Sequence, residues 1–282
     1  MGKGVLISIV TPTYDRANLL KRAIRSVLNQ TYQKWELIIV DDPRSTHRTE
    51  EVVRNFEDRR IKYYRSQKIG LSSSRNRGME LSRGKYIVFL DSDDELMPHA
   101  LETIVKKFEA LPNSVGGLFY NCIDFSSKTL TAPISFTEGL LTYDDVICGK
   151  NFQGELLSSI RKKVSREFKF PEEIVRFECI FWFNVAKKYK FYVVNKPLRI
   201  YHTEANGRIS RKAYSDRFHL LNNIKGQTML LKTIGNELKN KHPKKYGEHL
   251  LTLGLFYARI RNAKSSLYYI AQSIKYTYGL PL

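Results

Sequence analysis

Three carboxylates stand close together in the tetrapeptide Asp91-Ser92-Asp93-Asp94, which directly follows an apolar run at residues 86–90. Like charges at this spacing repel one another, so the cluster needs a cation or hydrogen-bond donors around it. Carboxylate oxygens suit Mg²⁺ or Mn²⁺, which commonly share one or two protein carboxylates with substrate phosphates. The cluster therefore predicts a divalent-cation site that would stabilise a nucleoside-diphosphate leaving group.

Three other interpretations of the same residues stay open. An EF-hand loop has suitable acidic spacing over residues 91–102, although Leu96 occupies the position that requires glycine. A phosphatase of the haloacid dehalogenase type also places a nucleophilic aspartate after an apolar strand, and it would hydrolyse phosphomonoesters. In the third interpretation the acidic turn only caps a helix that begins near Pro98.

Strands and helices are expected to alternate along the first 124 residues. Short apolar or aromatic runs predict strands at residues 5–10, 35–40, 61–64, 86–90 and 117–122. Apolar side chains at helical spacing predict a helix over residues 19–28, with Asn18 as its N-cap. Alternation with short links indicates βαβ units, an α/β fold and a mostly parallel sheet.

Polar clusters follow three of these strands at their carboxyl ends. They are residues 11–13, 41–42 and 91–94. In an open parallel sheet, ligands bind at this edge, so the three clusters predict one common site.

The same residues resemble the family 2 glycosyltransferases, which have the GT-A fold. The resembling segments are residues 8–16 (SIVTPTYDR), 26–32 (SVLNQTY), 36–42 (ELIIVDD), 70–78 (GLSSSRNRG) and 84–94 (GKYIVFLDSDD). The resemblance implies a Rossmann-like, mostly parallel sheet flanked by helices. It also implies an inverting transferase that moves a sugar from a nucleotide-sugar to a hydroxyl acceptor, either a glycan or a lipid-linked glycan.

Individual site residues follow from this resemblance. The nucleotide pocket would be lined by Thr11, Pro12, Tyr14 and Ser92. Asp42 would accept a hydrogen bond from the uracil imide, Arg75 would contact base or diphosphate, and Asp91 would meet the ribose. Asp93 would ligate Mn²⁺ or Mg²⁺, and His202 would approach the metal or the diphosphate. A UDP-sugar is the expected donor, with a GDP- or dTDP-sugar as the alternative.

Two positions depart from the family pattern. An inverting transferase needs a general base for the acceptor hydroxyl, and family members often carry Glu-Asp near the start of a late helix. Here that pair is Glu178 and Cys179, so Glu178 is the candidate base. Pro43 and Arg44 follow Asp42 where the family usually has Gly-Ser, which predicts an altered base pocket. A homologue that binds nucleotide-sugar or glycan without catalysis is therefore the alternative.

Positive charge is concentrated in the second half of the chain. Residues 1–150 hold 22 Lys and Arg against 19 Asp and Glu, whereas residues 151–282 hold 25 against 9. Cations and aromatic residues are interleaved in helices expected at 212–234, 243–260 and 263–277. This pattern suits an acidic membrane surface, packing on the catalytic domain, or a homodimer. Nucleic-acid binding is not indicated, because no known module is recognisable.

Three segments are expected. They are a nucleotide-sugar-binding part (1–124), an acceptor-side part of the same domain with strands and a helix near 177–188 (125–211), and a basic helical extension (212–282). No apolar stretch approaches the roughly 18 residues that span a bilayer. Three widely spaced cysteines predict buried thiols in a reducing compartment. We therefore expect a cytoplasmic protein, with a peripheral position at the inner face of the membrane as the alternative.

Overall fold

The computed structural model describes residues 4–46, 48–132, 137–149, 154–203 and 217–279. Within these residues the strands are β1 (Ile7–Thr13), β2 (Trp35–Asp41), β3 (Ile61–Arg65), β4 (Tyr86–Phe89), β5 (Glu95–Leu96), β6 (Val115–Asp124), β7 (Gly139–Leu141), β8 (Leu157–Arg161) and β9 (Lys190–Tyr201). The helices are α1 (Ala17–Leu28), α2 (Arg48–Arg54), α3 (Leu71–Leu81), α4 (Ala100–Ala110), α5 (Tyr143–Ile147), α6 (Lys162–Glu167), α7 (Cys179–Ala186), α8 (Arg217–Lys241), α9 (Pro243–Arg259) and α10 (Ala263–Tyr278).

All of these strands belong to one mixed sheet, in the order β3-β2-β1-β4-β8-β6-β9-β5, with β7 paired to β9. The strands β3, β2, β1 and β4 are parallel to one another, which confirms the expected βαβ units. Beyond them, β8 pairs antiparallel with β4, whereas β6 and β9 pair parallel to each other. The architecture is therefore the predicted α/β fold with a mostly parallel sheet.

The two central strands are buried along their whole length. Every residue of β1 and β2 is buried, and their register places Ile9 beside Leu37. One face of α1 covers them with Leu20, Ile24 and Val27, each of which is fully buried. Burying an aliphatic side chain of this size contributes about 1.5–3 kcal/mol, so packing fixes the strands and the loops that follow them.

The start of α1 differs from the prediction. The helix begins at Ala17, Arg16 occupies the N-cap position, and no side chain caps it. The predicted cap, Asn18, lies inside the first turn, so that assignment was wrong. Arg16 instead directs its side chain at an aspartate of the acidic loop, as described below.

The chain divides into two compact units. Unit 1 comprises residues 1–170 and 185–205, and unit 2 comprises residues 171–184 and 206–282. The sheet lies in unit 1, and the last three helices lie in unit 2. The predicted boundary near residue 211 placed residues 171–184 with the sheet, whereas the structure groups them with the helices.

The helices of unit 2 lie close to the predicted ones. Helix α8 extends to Lys241, later than the expected end at residue 234, and the expected start at 212–216 lies outside the described residues. Two glycines let α9 and α10 approach closely: a Cβ on Gly247 would lie 2.4 Å from Thr277 Oγ1, and one on Gly254 would lie 2.8 Å from Ile270 Cγ1. Across the described part of the chain, no helix has the length and apolar character needed to span a membrane.

Candidate active site

The carboxyl ends of three adjacent strands bring the predicted polar clusters together. Strands β2, β1 and β4 are neighbours and parallel, so the residues after each strand meet at one edge. Backbone hydrogen bonds continue past the strand ends: Asp42 N donates to Thr13 O over 2.9 Å, and Leu90 N donates to Val10 O over 3.0 Å. Thr11, Asp42 and the acidic loop therefore lie at a common edge of the sheet.

The predicted base-binding carboxylate, Asp42, is nearly enclosed. Its side chain is 4% exposed and is held by Arg44 and by the backbone N–H of Gly70. Gly70 has φ +107°, a conformation that disfavours a side chain, and it stands at the N-cap of α3. Burial alone would raise the pKa of Asp42, but the hydrogen bonds from Arg44 and Gly70 lower it below its usual value.

Arginines surround the acidic loop of residues 91–94. Asp91 Oδ1 accepts from Arg75 over 3.0 Å, and Asp93 Oδ2 accepts from Arg16 over 2.6 Å. Arg22 Nε donates to the backbone carbonyl of Asp93 over 2.9 Å. The compensation that the cluster needs is thus supplied in part by the protein's own cations.

A further arginine, Arg199 on β9, contacts the same loop from a buried position. Its side chain is 4% exposed, and its Nη1 lies 3.3 Å from Asp94 Oδ2 and 3.6 Å from Asp91 Oδ2. Nη2 lies 3.4 Å from Glu155 Oε2, and Nε donates to Cys122 Sγ over 3.2 Å. No motif in the sequence marks Arg199 as a site residue, although a charged residue between two apolar ones in a strand is a signal of a buried ion pair.

The pKa values of the two aspartates next to Arg199 are shifted in opposite directions. Burial raises the pKa of Asp94 to about 7, although Arg199 opposes this shift. Burial would also raise the pKa of Asp91, but Arg75 and Arg199 together lower it. Asp91 thus stays ionised and faces solvent over about a third of its side chain (35%), whereas Asp94 is enclosed.

The loop is well suited to one metal contact from the protein. Among the described residues no group of three acidic, histidine or cysteine side chains is placed to hold a metal. Asp93 Oδ2 is paired with Arg16, and no contact occupies Oδ1 in the described structure. One free carboxylate oxygen fits a Mg²⁺ or Mn²⁺ ion whose other ligands are substrate phosphates and waters.

His202 follows β9 and is buried beside the acidic loop. Its backbone N–H donates to Asp94 Oδ1 over 3.0 Å, and its Nε2 lies 2.7 Å from Glu95 Oε1. The imidazole stacks on Phe125 with ring centroids 4.4 Å apart. The structure therefore places His202 near the loop but pairs its Nε2 with Glu95, and a role as metal ligand stays a prediction.

The other nucleotide-binding candidates lie on the same edge. Thr11 and Pro12 are buried in β1, Ser92 is buried in the loop, and Tyr14 is exposed just after β1. The hydroxyls of Thr11 and Thr13 are buried without a hydrogen-bond partner in the described structure. Unsatisfied buried hydroxyls are uncommon, and a bound ligand or water would satisfy them.

The candidate base, Glu178, lies in unit 2, immediately before α7. Its segment is fixed on α8. Val175 N donates to Asn222 Oδ1 over 2.9 Å, and Asn222 Nδ2 donates back to Val175 O over 3.0 Å. A Cβ on Gly226 would lie 2.2 Å from the ring of Phe177, so the absence of a side chain at 226 lets this ring rest on the helix backbone.

Cys179, which follows the candidate base, does not supply a thiolate. Burial raises the pKa of its thiol to about 12, and the neighbouring Glu178 carboxylate adds to the shift. A neutral thiol neither accepts a proton from a sugar hydroxyl nor acts as a nucleophile at neutral pH. Within the pair, only Glu178 can serve as a base.

Two of the rival interpretations of the acidic loop, the EF-hand loop and the helix-capping turn, do not fit the fold. The acidic residues follow strand β4, and strand β5 begins at Glu95, whereas an EF-hand loop joins two helices. Helix α4 begins at Ala100 with His99 as N-cap and has no side-chain cap, so the acidic turn does not cap that helix.

The chain is similar to one known family and to several known proteins. The model of "Glycosyl transferase family 2" matches residues 8–167. The GalNAc(5)-diNAcBac-PP-undecaprenol beta-1,3-glucosyltransferase of Campylobacter jejuni is 31% identical over 274 residues, covering 93% of this chain and 85% of that protein. The UDP-Glc:alpha-D-GlcNAc-diphosphoundecaprenol beta-1,3-glucosyltransferase WfgD of Escherichia coli is 28% identical over 193 residues, covering 67% and 73%.

Two solved structures share the fold. TarS 1-349 of S. aureus in complex with UDP-GlcNAc superposes with a TM-score of 0.65 at 15% identity, covering 97% of this chain and 92% of that one. The mannosyltransferase PcManGT from Pyrobaculum calidifontis, in complex with GDP-Man and Mn²⁺, has a TM-score of 0.61 at 15% identity, with coverage of 99% and 89%. The family match spans more than half of the chain and reaches from β1 to β8, including the acidic loop: the chain belongs to glycosyl transferase family 2 and has the GT-A fold.

Proposed function

We propose that this protein transfers a glucosyl residue from UDP-glucose, with inversion, to a hydroxyl of a glycan carried on a polyprenyl diphosphate. The observation that carries the proposal is the similarity over 93% of the chain to a β-1,3-glucosyltransferase named for an undecaprenol-diphosphate-linked acceptor. A second relative, named for UDP-Glc and a diphosphoundecaprenol acceptor, supports the same donor and acceptor class.

The nucleotide is proposed to bind at the carboxyl edge of the sheet. Asp42 would accept the imide N–H of uracil, and Arg75 would donate to the diphosphate in a charge-assisted hydrogen bond. Asp91 is ionised and partly exposed, as an acceptor for ribose hydroxyls should be. Thr11 Oγ1 and Thr13 Oγ1 have unused hydrogen-bonding capacity at the same edge.

Asp93 is the proposed protein ligand for Mn²⁺ or Mg²⁺. The support is its carboxylate oxygen without a contact in the described structure and the Mn²⁺ complex of a protein with the same fold. When bound, the ion would act as a Lewis acid that offsets the charge of the departing diphosphate. Arg75 would add a fixed positive charge near the same phosphates.

Glu178 is proposed to remove the proton of the acceptor hydroxyl. The hydroxyl oxygen then attacks the anomeric carbon, the bond from that carbon to the UDP oxygen breaks, and the configuration inverts. The segment that carries Glu178 is held in place by Asn222 and by the backbone of α8 at Gly226.

A lipid-linked acceptor requires the enzyme to work at a membrane surface, and α10 is the proposed docking element. Its inner face carries the small buried residues Ser266 and Ser273, whereas Leu267 and Tyr278 are 69% and 74% exposed. Residues 249–282 contain four Lys or Arg and no acidic residue. Large apolar side chains beside cations suit the headgroup region of an anionic bilayer.

Vesicles test the docking element. Wild-type protein should co-sediment with vesicles that contain anionic phospholipid and far less with neutral ones, and Leu267→Asp should reduce the binding. The exposed face of α10 could instead be covered by a second copy of the chain, and sedimentation velocity without lipid tests this alternative. A dimer that Leu267→Asp dissociates would contradict membrane docking.

The nucleotide site is tested first by calorimetry of UDP with and without Mn²⁺, using wild type and Asp93→Ala. We expect binding that requires Mn²⁺ and is lost in the variant. Glucosyl transfer from UDP-glucose to a synthetic polyprenyl-diphosphate glycan then tests the reaction. Binding without turnover would favour the alternative, a nucleotide-sugar-binding homologue without catalysis, to which Cys179 in the usual place of aspartate points. If the protein bound none of UDP, GDP and dTDP, that result would contradict the proposed function.

A further inference from the structure

The carboxylate proposed to recognise the base has no acceptor capacity left. Asp42 Oδ1 accepts from Arg44 N over 3.0 Å and from Arg44 Nε over 2.8 Å. Oδ2 accepts from Arg44 Nη2 over 3.1 Å and from Gly70 N over 2.8 Å. A carboxylate offers about four lone-pair sites, and all four are used here. A nucleobase N–H therefore cannot bind to Asp42 while Arg44 stays in place.

The Arg44 guanidinium also covers the exposed aromatic ring of Tyr14. Arg44 Cζ lies 4.8 Å from the centroid of the Tyr14 ring, within the range of a cation–π contact. Tyr14 is 46% exposed, and it is the one aromatic residue among the proposed nucleotide-binding residues. Arg44 thus occupies both the hydrogen-bonding partner and the stacking partner that a base would use.

The backbone that carries Arg44 is fixed, whereas its side chain is able to leave. Arg65 Nη2 donates to the carbonyls of Pro43 and Ser45, over 2.8 and 2.7 Å, which hold the loop on both sides of Arg44. The Arg44 side chain itself is 50% exposed. An exposed guanidinium moves into solvent at little cost, so the pocket can open by a change of rotamer without movement of the loop.

From these contacts we propose that Arg44 closes the base pocket and competes with the nucleobase for Asp42 and Tyr14. Arg44 is a specificity-determining residue in this arrangement: a ligand has to supply a base that replaces both contacts, and a diphosphate without a base does not displace it. The inference rests on the proposed function, because it takes Asp42 as the acceptor for the base.

Calorimetric titration of UDP and of inorganic pyrophosphate, each with Mn²⁺, tests this inference. Arg44→Ala should tighten UDP binding on the order of fivefold, since the competing arginine is half exposed, and it should leave pyrophosphate affinity unchanged. Arg54→Ala is the matched control, because Arg54 is also an exposed arginine paired with a carboxylate, that of Glu50.

Each outcome is decisive. Weaker or unchanged UDP binding in Arg44→Ala would show that Arg44 helps the base or does not meet it, and either result overturns the inference. Equal changes for UDP and pyrophosphate would place Arg44 at the phosphates and overturn it too. If neither wild type nor Arg44→Ala bound any nucleotide, that result would instead reject the proposed nucleotide site. UDP binding by Arg44→Ala alone would support the inference strongly.

Discussion

Replacing Arg199 with methionine should destabilise the protein strongly, because it removes the cation among three carboxylates. The guanidinium is 4% exposed and lies within 3.6 Å of Asp91, Asp94 and Glu155. Asp94 is almost completely buried, so it cannot regain hydration after the change. Breaking a buried ion pair by removing one partner costs about 3–5 kcal/mol. We expect a loss of this size in the free energy of unfolding.

Urea denaturation at pH 7.5, followed by circular dichroism, measures the loss. Arg54→Met is the matched control: that side chain is 78% exposed, and its pair with Glu50 should contribute less than about 1 kcal/mol. Adding Asp94→Asn to Arg199→Met removes the buried carboxyl that has lost its cation, so the double variant should recover about 1–2 kcal/mol of the loss.

Two results would refute this reasoning. The first is an Arg199→Met variant as stable as Arg54→Met, which would mean that water or rearrangement replaces the guanidinium. The second is a double variant no more stable than Arg199→Met, which would assign the loss to packing of the arginine stem instead of to charge.

Two further predictions concern unit 2. His249 is partly buried against α8, where Gln227 Nε2 lies 2.8 Å from its Nδ1, and this burial lowers its pKa to about 4. As the pH falls, the unfolded state therefore binds the proton before the folded state does. The free energy of unfolding should decrease by up to about 3 kcal/mol from pH 6.5 to pH 4. Urea midpoints measured across this range should show the decrease in wild type and a smaller one in His249→Leu. Gly226→Ala should push Phe177 off α8 and lower kcat at least about tenfold with unchanged UDP affinity. Gly235→Ala, whose nearest neighbour atom would be 3.5 Å away, should retain kcat, and an equal loss in both variants would contradict this role.

The part of the fold that depends on local patterns was predictable. Apolar runs and helical periods gave the strands β1, β2 and β4 and the helices α9 and α10 to within a few residues, because burial against neighbours selects those patterns. The position of the site followed as well, since parallel strands place their carboxyl ends at one edge. Helix α1 was located, but its cap was not: Arg16 occupies the position assigned to Asn18.

The contacts of the site were not predictable, because their partners are distant in the sequence. Asp91 and Arg199 are separated by more than a hundred residues, and they meet because β9 lies in the same sheet as β4. Residues 125–203 include short strands and helices with weak periodicity, so their place in the sheet could not be inferred. The close contact of Gly226 with Phe177 depends likewise on how α8 packs within unit 2.

These contacts give a physical reason why the carboxylates of this acidic edge can lie close together. Each carboxylate proposed to meet the nucleotide or the metal is paired with an arginine: Asp42 with Arg44, Asp91 with Arg75, and Asp93 with Arg16. Because the protein supplies these cations, repulsion among the carboxylates does not oppose folding. Binding is then an exchange of partners, in which base, diphosphate and metal replace or join the arginines. Such an exchange gains less free energy than binding to unpaired charges, but it discriminates against ligands that cannot replace every contact.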